Sequence, residues 1–228
     1  MRQHQEPHFL EVGAVYALRI ETFIRAKNRF SGRLEIYTIA PERAIEIDNE
    51  PDFLIAQTLM RQRLNNMRMS CLPKKLGALI MDFDGVLTNN QVQVNETGQE
   101  AVACHRGDGW AIRRLQEMGV PLLVLTSERN PVVRMRCDKL GIECLVANRK
   151  LPALKNWLIH RGIDPRTVVY VGNDAPDVEC MLYVGCGVAP ADAYPVAKQA
   201  AQVVLETQGG CGCIRELFEC IAAAAQAI

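Results

Sequence analysis

Residues 76–88 read Leu-Gly-Ala-Leu-Ile-Met-Asp-Phe-Asp-Gly-Val-Leu-Thr, and this stretch decides the fold. Residues 76–83 are mostly apolar, which is typical of a strand buried on both faces of a parallel sheet. Asp82 and Asp84 stand at the end of that run, and Gly85 lets the chain turn away from them. Ligand sites in open parallel sheets lie at such strand ends.

Two carboxylates two residues apart at a strand end need a cation, or one of them must take up a proton. Mg²⁺ fits best, because it is commonly bound by one or two carboxylates together with a substrate phosphate. The sequence therefore predicts a magnesium site at Asp82 and Asp84. The alternative is a solvated turn in which two acidic residues occur by chance.

Apolar runs alternate with amphipathic segments from residue 76 to residue 228. The strand-like runs are residues 120–126, 144–147 and 166–172, and the helix-like segments are residues 108–118, 131–140, 150–161 and 175–184. This alternation predicts an α/β fold with a doubly wound parallel sheet and helices on both faces. Residues 91–94 and 100–104 flank a loop that contains glycine, so a β-hairpin insert is expected.

Polar residues follow three further strands. Thr126 and Ser127 end the second strand, where a hydroxyl and backbone N–H groups can hold a phosphoryl oxygen. Lys150 begins a helix after a short strand, where an ammonium could neutralise a phosphate. Each has a plainer alternative: the threonine could cap a turn, and the lysine could be a solvated surface residue.

The strand that ends at residue 171 is followed by Gly-Asn-Asp-Ala-Pro-Asp, residues 172–177. This second acidic cluster is suited to completing a metal site. Asn173, Asp174 and Asp177 are the candidate ligands. A turn stabilised by an Asn or Asp side chain, followed by a helix cap, is the alternative.

The order Asp-x-Asp, Thr/Ser, Lys and an acidic Gly-containing loop, each at a strand end, resembles the haloacid dehalogenase superfamily of phosphohydrolases over residues 76–228. The resemblance implies a Rossmann-like fold in which Asp82 is the nucleophile and Asp84 the general acid and base. Thr126 and Lys150 would hold the transferring phosphoryl group. Mg²⁺ would be bound by Asp82, the main-chain carbonyl of Asp84 and the acidic loop, in which Asn173 replaces the usual Asp.

The spacing also predicts an uncapped site. Asp82 and Thr126 are 44 positions apart, and Thr126 and Lys150 are 24 apart, so neither gap can hold a separate cap domain. This resembles the capless branch typified by 3-deoxy-D-manno-octulosonate 8-phosphate phosphatases, which form tetramers. A homotetramer is implied, in which the hairpin and the Gly-Gly-x-Gly tail at residues 209–212 pack into a neighbour's active site.

The same resemblance suggests which residues bind the substrate, a small phosphorylated sugar acid. Residues 105–109, His-Arg-Gly-Asp-Gly, resemble the Arg-Asp-Gly loop of that branch, and residues 209–216 resemble its tail. The candidates are Arg106, Asp108, Ser127 and Arg215. A surface or structural salt bridge is the alternative for either arginine.

Residues 1–64 have a different pattern, with strand-like runs at 9–18, 33–39 and 44–48 and helix-like segments at 20–27 and 52–63. They resemble the C-terminal end of acylneuraminate cytidylyltransferases, so a partial α/β segment is expected. Glu46 and Asp48 fall where that family places an acidic metal-binding pair, but no glycine-rich nucleotide loop accompanies them. Residues 65–75 are polar and basic, which indicates a linker or the frayed end of a helix.

Composition narrows the functional classes. The chain has 26 basic and 26 acidic residues without a long run of one sign, so neither nucleic acid nor a membrane surface is an expected partner. No apolar stretch is long enough to span a bilayer, and residues 1–8 lack a signal-peptide core. The nine cysteines are an odd number scattered through apolar runs, which is typical of reduced thiols in a cytoplasmic protein.

Three functions compete. The first is a Mg²⁺-dependent phosphatase that acts on a 2-keto-3-deoxy sugar acid phosphate through an aspartyl-phosphate. The second is a non-catalytic domain that assembles an acylneuraminate cytidylyltransferase; the presence of both Asp82 and Asp84 argues against it. The third is a nucleotidyltransferase, against which the missing nucleotide loop argues.

Overall fold

The computed structural model describes residues 9–226. The chain forms two compact units, residues 1–64 and residues 65–228. None of the helices in the described range is long and apolar enough to cross a lipid bilayer.

The first unit contains helix α1 (Ile20–Ala26), a 3-10 turn (Pro41–Arg43) and the beginning of helix α2 (Glu50–Ser70). The two helices were expected from the sequence, but residues 9–64 form no strand, so the three strand predictions there are wrong. A strand needs a neighbour to satisfy its backbone groups, and pattern alone does not provide one. No side chain of residues 9–64 is buried. Because α2 reaches Ser70, the first residues of the predicted linker are helical.

The second unit is built on a six-stranded parallel sheet in the order β5-β4-β1-β6-β7-β8. Its strands are β1 (Ala78–Met81), β4 (Leu122–Thr126), β5 (Glu143–Val146), β6 (Val168–Val171), β7 (Cys186–Ala189) and β8 (Val203–Val204). The antiparallel strands β2 (Gln93–Val94) and β3 (Glu100–Ala101) form the predicted hairpin. The helices are α3 (Arg106–Glu117), α4 (Pro131–Leu140), α5 (Lys150–Arg161), α6 (Ala175–Tyr183), α7 (Pro195–Ala200) and α8 (Cys213–Gln226).

Alternate residues of β1 enter different apolar layers, as expected for a strand covered on both faces. Leu79 and Met81 pack in a layer with residues of α3, α4 and α8, whereas Ala78 and Ile80 pack with residues of α5, α6 and α7. The predicted doubly wound α/β fold is therefore confirmed.

This topology brings the carboxyl ends of β4, β1 and β6 side by side. Met81, the last residue of β1, lies in register with Val124 of β4 and Val171 of β6. Between β1 and β4 the chain forms only the small hairpin and α3, so this interval contains no cap domain.

Candidate active site

A buried lysine joins two carboxylates at the carboxyl end of the sheet. Asp82 follows β1, and its N–H donates to the Val171 carbonyl at 2.9 Å. Lys150 Nζ lies 2.8 Å from Asp82 Oδ2 and 2.8 Å from Asp177 Oδ1. All three side chains are buried, and Asp82 Oδ1 also accepts the Phe83 N–H at 2.7 Å. The structure thus brings the predicted nucleophile and the predicted phosphate-binding lysine together.

Both carboxylate oxygens of Asp177 accept hydrogen bonds from within the chain. Its Oδ1 accepts from Lys150 Nζ and from the Tyr170 hydroxyl, each at 2.8 Å. Its Oδ2 accepts the N–H groups of Asn173 at 3.0 Å and Asp174 at 3.3 Å. In this arrangement the Asp177 carboxylate orients Lys150 and closes the loop after β6, and its metal-ligand role stays a prediction.

Burial perturbs the charges of this cluster. Loss of water raises the pKa of Asp82 to about 7, and the negative charge of Asp177 adds to the effect, although Lys150 opposes it. Burial alone would lower the pKa of Lys150, but Asp82 and Asp177 outweigh it and the pKa is raised. The lysine is therefore positively charged, whereas the ionised form of Asp82 is disfavoured by burial and would be stabilised by a further positive charge nearby.

Asp84 lies in a less buried position on the turn after β1. Its Oδ1 accepts from the Thr88 hydroxyl at 3.2 Å, and Thr88 Oγ1 in turn accepts the Gly85 N–H at 3.3 Å. Partial burial raises the pKa of Asp84 above its ordinary value. A raised pKa favours the protonated form of this carboxyl, which suits a general acid.

Gly85 allows the turn after β1 and the loop after β6 to meet. Its φ is +76°, a conformation that favours glycine, and a Cβ built there would lie 1.9 Å from Asn173 Nδ2. Asn173 is itself buried. The side chain of Asn173 therefore lies directly against the turn that carries Asp82 and Asp84.

The donors at this junction fit a small hard cation. The described residues contain no group of three or more His, Cys, Asp or Glu side chains that could hold a metal. Asp174 Oδ1 accepts the Ala175 N–H at 2.7 Å and caps α6, and the metal-ligand role of Asp174 stays a prediction. Further oxygen donors at this junction are the carboxylate of Asp82, the main chain at Asp84 and the amide of Asn173. These are oxygen ligands of the kind that Mg²⁺ prefers.

The two hydroxyls after β4 differ in their surroundings. Thr126 is buried, and its Oγ1 accepts the Glu128 N–H at 3.0 Å. Ser127 is exposed, and its hydroxyl donates to the Ala147 carbonyl at 3.2 Å. Both stand beside the end of β1, because β4 is its neighbour in the sheet.

Asp108, one of the predicted substrate-binding residues, lies on α3 and contacts the start of α8. Asp108 is buried, and its Oδ1 accepts the N–H groups of Ile214 and Arg215, each at 3.0 Å. Its Oδ2 has no partner among the described residues. Asp108 Oδ1 is therefore directed at the first turn of α8, and the substrate-binding role of this residue stays a prediction.

Arg106 is exposed on the first turn of α3. Arg215 is held on α8 by Glu219, with Nε 2.6 Å from Oε1, and its guanidinium lies 3.7 Å above the Trp110 ring. The structural alternative given above for Arg215 thus has direct support, whereas Arg106 keeps its candidate role.

The glycine-rich tail, residues 209–212, contacts the turn after β1 of its own chain through residues 209–210. Its entry into a neighbour's active site stays a prediction. Gly210 N–H donates to the Val86 carbonyl at 2.9 Å, and a Cβ at Gly209 would lie 2.0 Å from the Gly85 carbonyl oxygen.

The sequence reasoning missed three residues. Tyr170 donates to Asp177, Thr88 donates to Asp84, and Asp192 accepts the Gly209 N–H at 2.8 Å. A hydroxyl within an otherwise apolar strand, Val-Val-Tyr-Val, could have drawn attention to Tyr170.

A family model described as haloacid dehalogenase-like hydrolase matches residues 142–214. The 3-deoxy-D-manno-octulosonate 8-phosphate phosphatase KdsC of Escherichia coli is 35% identical over 143 residues, which are 62% of this chain and 76% of that protein. A solved structure of 3-deoxy-D-manno-octulosonate 8-phosphate phosphatase from Moraxella catarrhalis, in complex with magnesium, phosphate and KDO, has a TM-score of 0.67. It is 27% identical, and the match covers 72% of this chain and 94% of that one.

A second kind of relative extends over the first unit. The N-acylneuraminate cytidylyltransferase of Oncorhynchus mykiss is 28% identical over 225 residues, which are 96% of this chain. The chain spans about half the length of that relative, 51%.

Proposed function

The chain belongs to the haloacid dehalogenase-like hydrolase family, and we propose that it is a magnesium-dependent phosphatase acting on a 2-keto-3-deoxy sugar acid phosphate. The observation that carries this proposal is the contact of Asp82 Oδ2 with Lys150 Nζ at 2.8 Å, at the carboxyl end of the central strand. A carboxylate fixed there beside a buried cation is equipped to attack an anionic phosphoryl group.

In the first step, an oxygen of Asp82 forms a bond to phosphorus and the bond from phosphorus to the sugar oxygen breaks. Asp84 gives its proton to that leaving oxygen, so the sugar acid departs as an alcohol. In the second step, Asp84 takes a proton from water, and the water oxygen bonds to phosphorus. The bond between Asp82 and phosphorus then breaks, inorganic phosphate leaves, and both carboxyl groups return to their starting states.

Lys150 and Thr126 supply the fixed electrostatic support. Lys150 lies beside Asp82, so its charge would neutralise part of the negative charge that collects on the phosphoryl oxygens. The Thr126 hydroxyl accepts one backbone N–H and keeps its own proton to donate. Asp177 and Tyr170 hold Lys150 in place.

Mg²⁺ would be held by Asp82, the main-chain carbonyl of Asp84 and Asn173. When bound, it would neutralise phosphate charge and compensate the buried carboxylate of Asp82. An amide ligand carries no charge, so we expect Asn173 to bind the ion less tightly than a carboxylate would, and Asn173→Asp to lower the Mg²⁺ concentration needed for half-maximal activity.

The substrate class is inferred from the relatives. One is named as an octulosonate 8-phosphate phosphatase, and another as an enzyme that transfers cytidylyl groups to acylneuraminate. The candidates are therefore an octulosonate 8-phosphate and a nonulosonate 9-phosphate. The exposed Arg106 is the remaining candidate for the substrate carboxylate. We propose a homotetramer as the assembly, on the basis of the capless architecture.

The test is phosphate release from a panel of such sugar acid phosphates with saturating Mg²⁺. Wild type, Asp82→Asn and the control Asp164→Asn are compared, because Asp164 caps a 3-10 turn before β6, at the other end of the strand from Asp177. We expect Asp82→Asn to lose at least about 10³-fold in kcat and the control to keep its activity. Equal release by wild type and Asp82→Asn would contradict the mechanism.

The second candidate is a non-catalytic domain of a cytidylyltransferase assembly. The match to the trout enzyme over 96% of the chain favours it. A folded, Mg²⁺-saturated wild type that releases no phosphate from any member of the panel would support this candidate over the phosphatase.

A further inference from the structure

Two carboxylates hold the glycine loop, residues 209–212, from opposite ends. Asp192 Oδ1 accepts the Gly209 N–H at 2.8 Å. Asp108 Oδ1 accepts the N–H groups of Ile214 and Arg215, just beyond the other end of the loop. Asp192 comes from the segment between β7 and α7, and Asp108 from the first turn of α3. Elements far apart in sequence thus anchor one short loop.

The anchor at Asp108 is a strong one on general grounds. The first N–H groups of a helix have no partner within it, and a carboxylate at this end also interacts favourably with the helix dipole. Asp108 is 1% exposed, so its contact with α8 is shielded from water. The position of Cys213, which begins α8, is therefore fixed relative to α3.

The glycine loop in turn is in close contact with the turn after β1. The Val86 carbonyl accepts the Gly210 N–H at 2.9 Å and the Cys213 thiol at 3.2 Å. A Cβ at Gly209 would lie 2.0 Å from the Gly85 oxygen, and one at Gly210 would lie 2.4 Å from the backbone at Thr88 and Asn89. Backbone meets backbone here, so a shift of the loop must move the turn.

That turn carries Asp84. Thr88 donates to the Asp84 carboxylate, and the N–H groups of Val86, Leu87 and Thr88 all point to the Phe83 carbonyl. The turn is also supported by an isolated antiparallel bridge between Thr88 and Cys104 and by core burial of its apolar side chains. The glycine loop adds direct backbone contacts to this support, so a displaced loop is expected to shift the turn.

We propose that Asp108 and Asp192 are positioning residues, which act through the glycine loop to hold Asp84 where it can exchange a proton with the leaving oxygen. Neither residue need touch the substrate. The inference rests on the proposed function for the role of Asp84, but the mechanical link between the two carboxylates and the turn stands on the contacts alone.

A positioning role predicts a rate loss that depends on the leaving group, which a general loss of stability does not predict. A displaced Asp84 impairs protonation of the leaving group, while Asp82, held beside Lys150, can still attack the phosphorus. An alkoxide leaving group needs the proton, whereas p-nitrophenolate leaves without one. A positioning defect should therefore slow an alkyl or sugar phosphate much more than p-nitrophenyl phosphate.

The experiment uses the full chain with Mg²⁺ and three variants. Asp192→Ala removes the exposed anchor with little risk to folding, Asp108→Asn keeps an acceptor oxygen but removes the charge, and Asp164→Asn is the matched control. The first readout is the ratio of kcat/KM for an alkyl phosphate to that for p-nitrophenyl phosphate. The second is amide hydrogen exchange at residues 86–88 in the absence of substrate.

For Asp192→Ala and Asp108→Asn we expect the ratio to fall by about tenfold or more and the exchange at residues 86–88 to become about tenfold faster, with neither change in Asp164→Asn. Equal loss on both substrates, or unchanged exchange in both variants, would overturn the proposal. If wild type hydrolyses neither substrate, the phosphatase assignment fails, and the exchange readout alone decides whether the two carboxylates support the turn.

Discussion

Apolar side chains are mostly exposed in residues 9–64, whereas those of the central strands in the second unit are buried. Among the described residues of the first unit, 9–64, no side chain is buried, and Leu10, Val15 and Tyr37 are 92%, 86% and 89% exposed. In the second unit every residue of β1, β4 and β6 is buried. The two units therefore differ in how far side chains are shielded from water, and this shielding strengthens the interaction between charged groups.

The ion pairs of the two units show what this difference means. Arg29 of the first unit lies 2.8 Å from Glu11, and both side chains are about half exposed. Lys150 lies at the same 2.8 Å from Asp82, with side chains only 2% and 12% exposed. Equal distances thus describe a solvated contact in one unit and a charge cluster with perturbed pKa values in the other. Chemistry is expected only in the second.

The largest effect is expected when the buried cation is removed. Lys150→Met would leave Asp82 and Asp177 buried without a counter-charge, so we expect a loss of about 3–5 kcal/mol in the free energy of unfolding and loss of phosphatase activity. Arg29→Met, the matched change in the first unit, should cost less than about 1 kcal/mol. Urea unfolding followed by circular dichroism measures both. Similar small losses would show that burial does not separate the two pairs.

A smaller effect is expected from two glycines that share a backbone conformation. Gly85 and Gly98 have φ values of +76° and +77°, but a Cβ at Gly85 would collide with Asn173, whereas one at Gly98 would meet nothing within 4 Å. Both Ala variants should be strained by about 1 kcal/mol. Only Gly85→Ala should lower the free energy of unfolding by a further ~1–3 kcal/mol and lose most of its activity. Equal thermal shifts for the two variants would contradict a tight junction between the turn and Asn173.

The strand-end residues were predictable because a parallel sheet brings its carboxyl ends to one edge. The grouping of Asp82 and Lys150 follows from that rule and from the order of motifs. The backbone partners of Asp177 belong to the helix cap that the sequence offered as an alternative, but its contacts with Lys150 and Tyr170 depend on the tertiary fold. The partners of Asp108 were not predictable, because they lie at the start of α8, far away in the sequence. The strands expected in residues 9–64 failed for a related reason, since periodicity shows which face is apolar but not what pairs with it.

The titration of Asp82 gives a further contrast between the units. Its folded pKa of about 7 lies above the ordinary 3.8, so the folded state binds the proton more tightly than the unfolded state. The stabilisation from this proton is fully present below the unfolded pKa and is lost as the pH rises through about 7. In metal-free protein, we expect the free energy of unfolding of the wild type, relative to that of Asp82→Asn, to rise by about 1 kcal/mol or more as the pH falls from about 8 to about 5.

Chemical unfolding at several pH values with a chelator present measures this difference. Glu35→Gln is the control from the first unit, because the Glu35 side chain is 80% exposed. The wild-type and control curves should run parallel. A difference between wild type and Asp82→Asn that stays constant with pH would mean that Asp82 is not held in a buried, proton-favouring site.

The smallest effect is expected from removing the first unit. Within residues 9–226, the members of both apolar layers of the sheet lie from Leu72 onward. We therefore expect deletion of residues 1–64 to change the free energy of unfolding of the remainder by about 0.5 kcal/mol or less. Both tryptophans, Trp110 and Trp157, report on that remainder by fluorescence. Deletion of residues 1–75 is the matched control, because it also removes Leu72, which is 8% exposed and packs in one apolar layer. This longer deletion should lower the free energy of unfolding by about 2 kcal/mol or more. Equal losses for the two deletions would show that the sheet depends on residues 1–64 and would remove the distinction between the units.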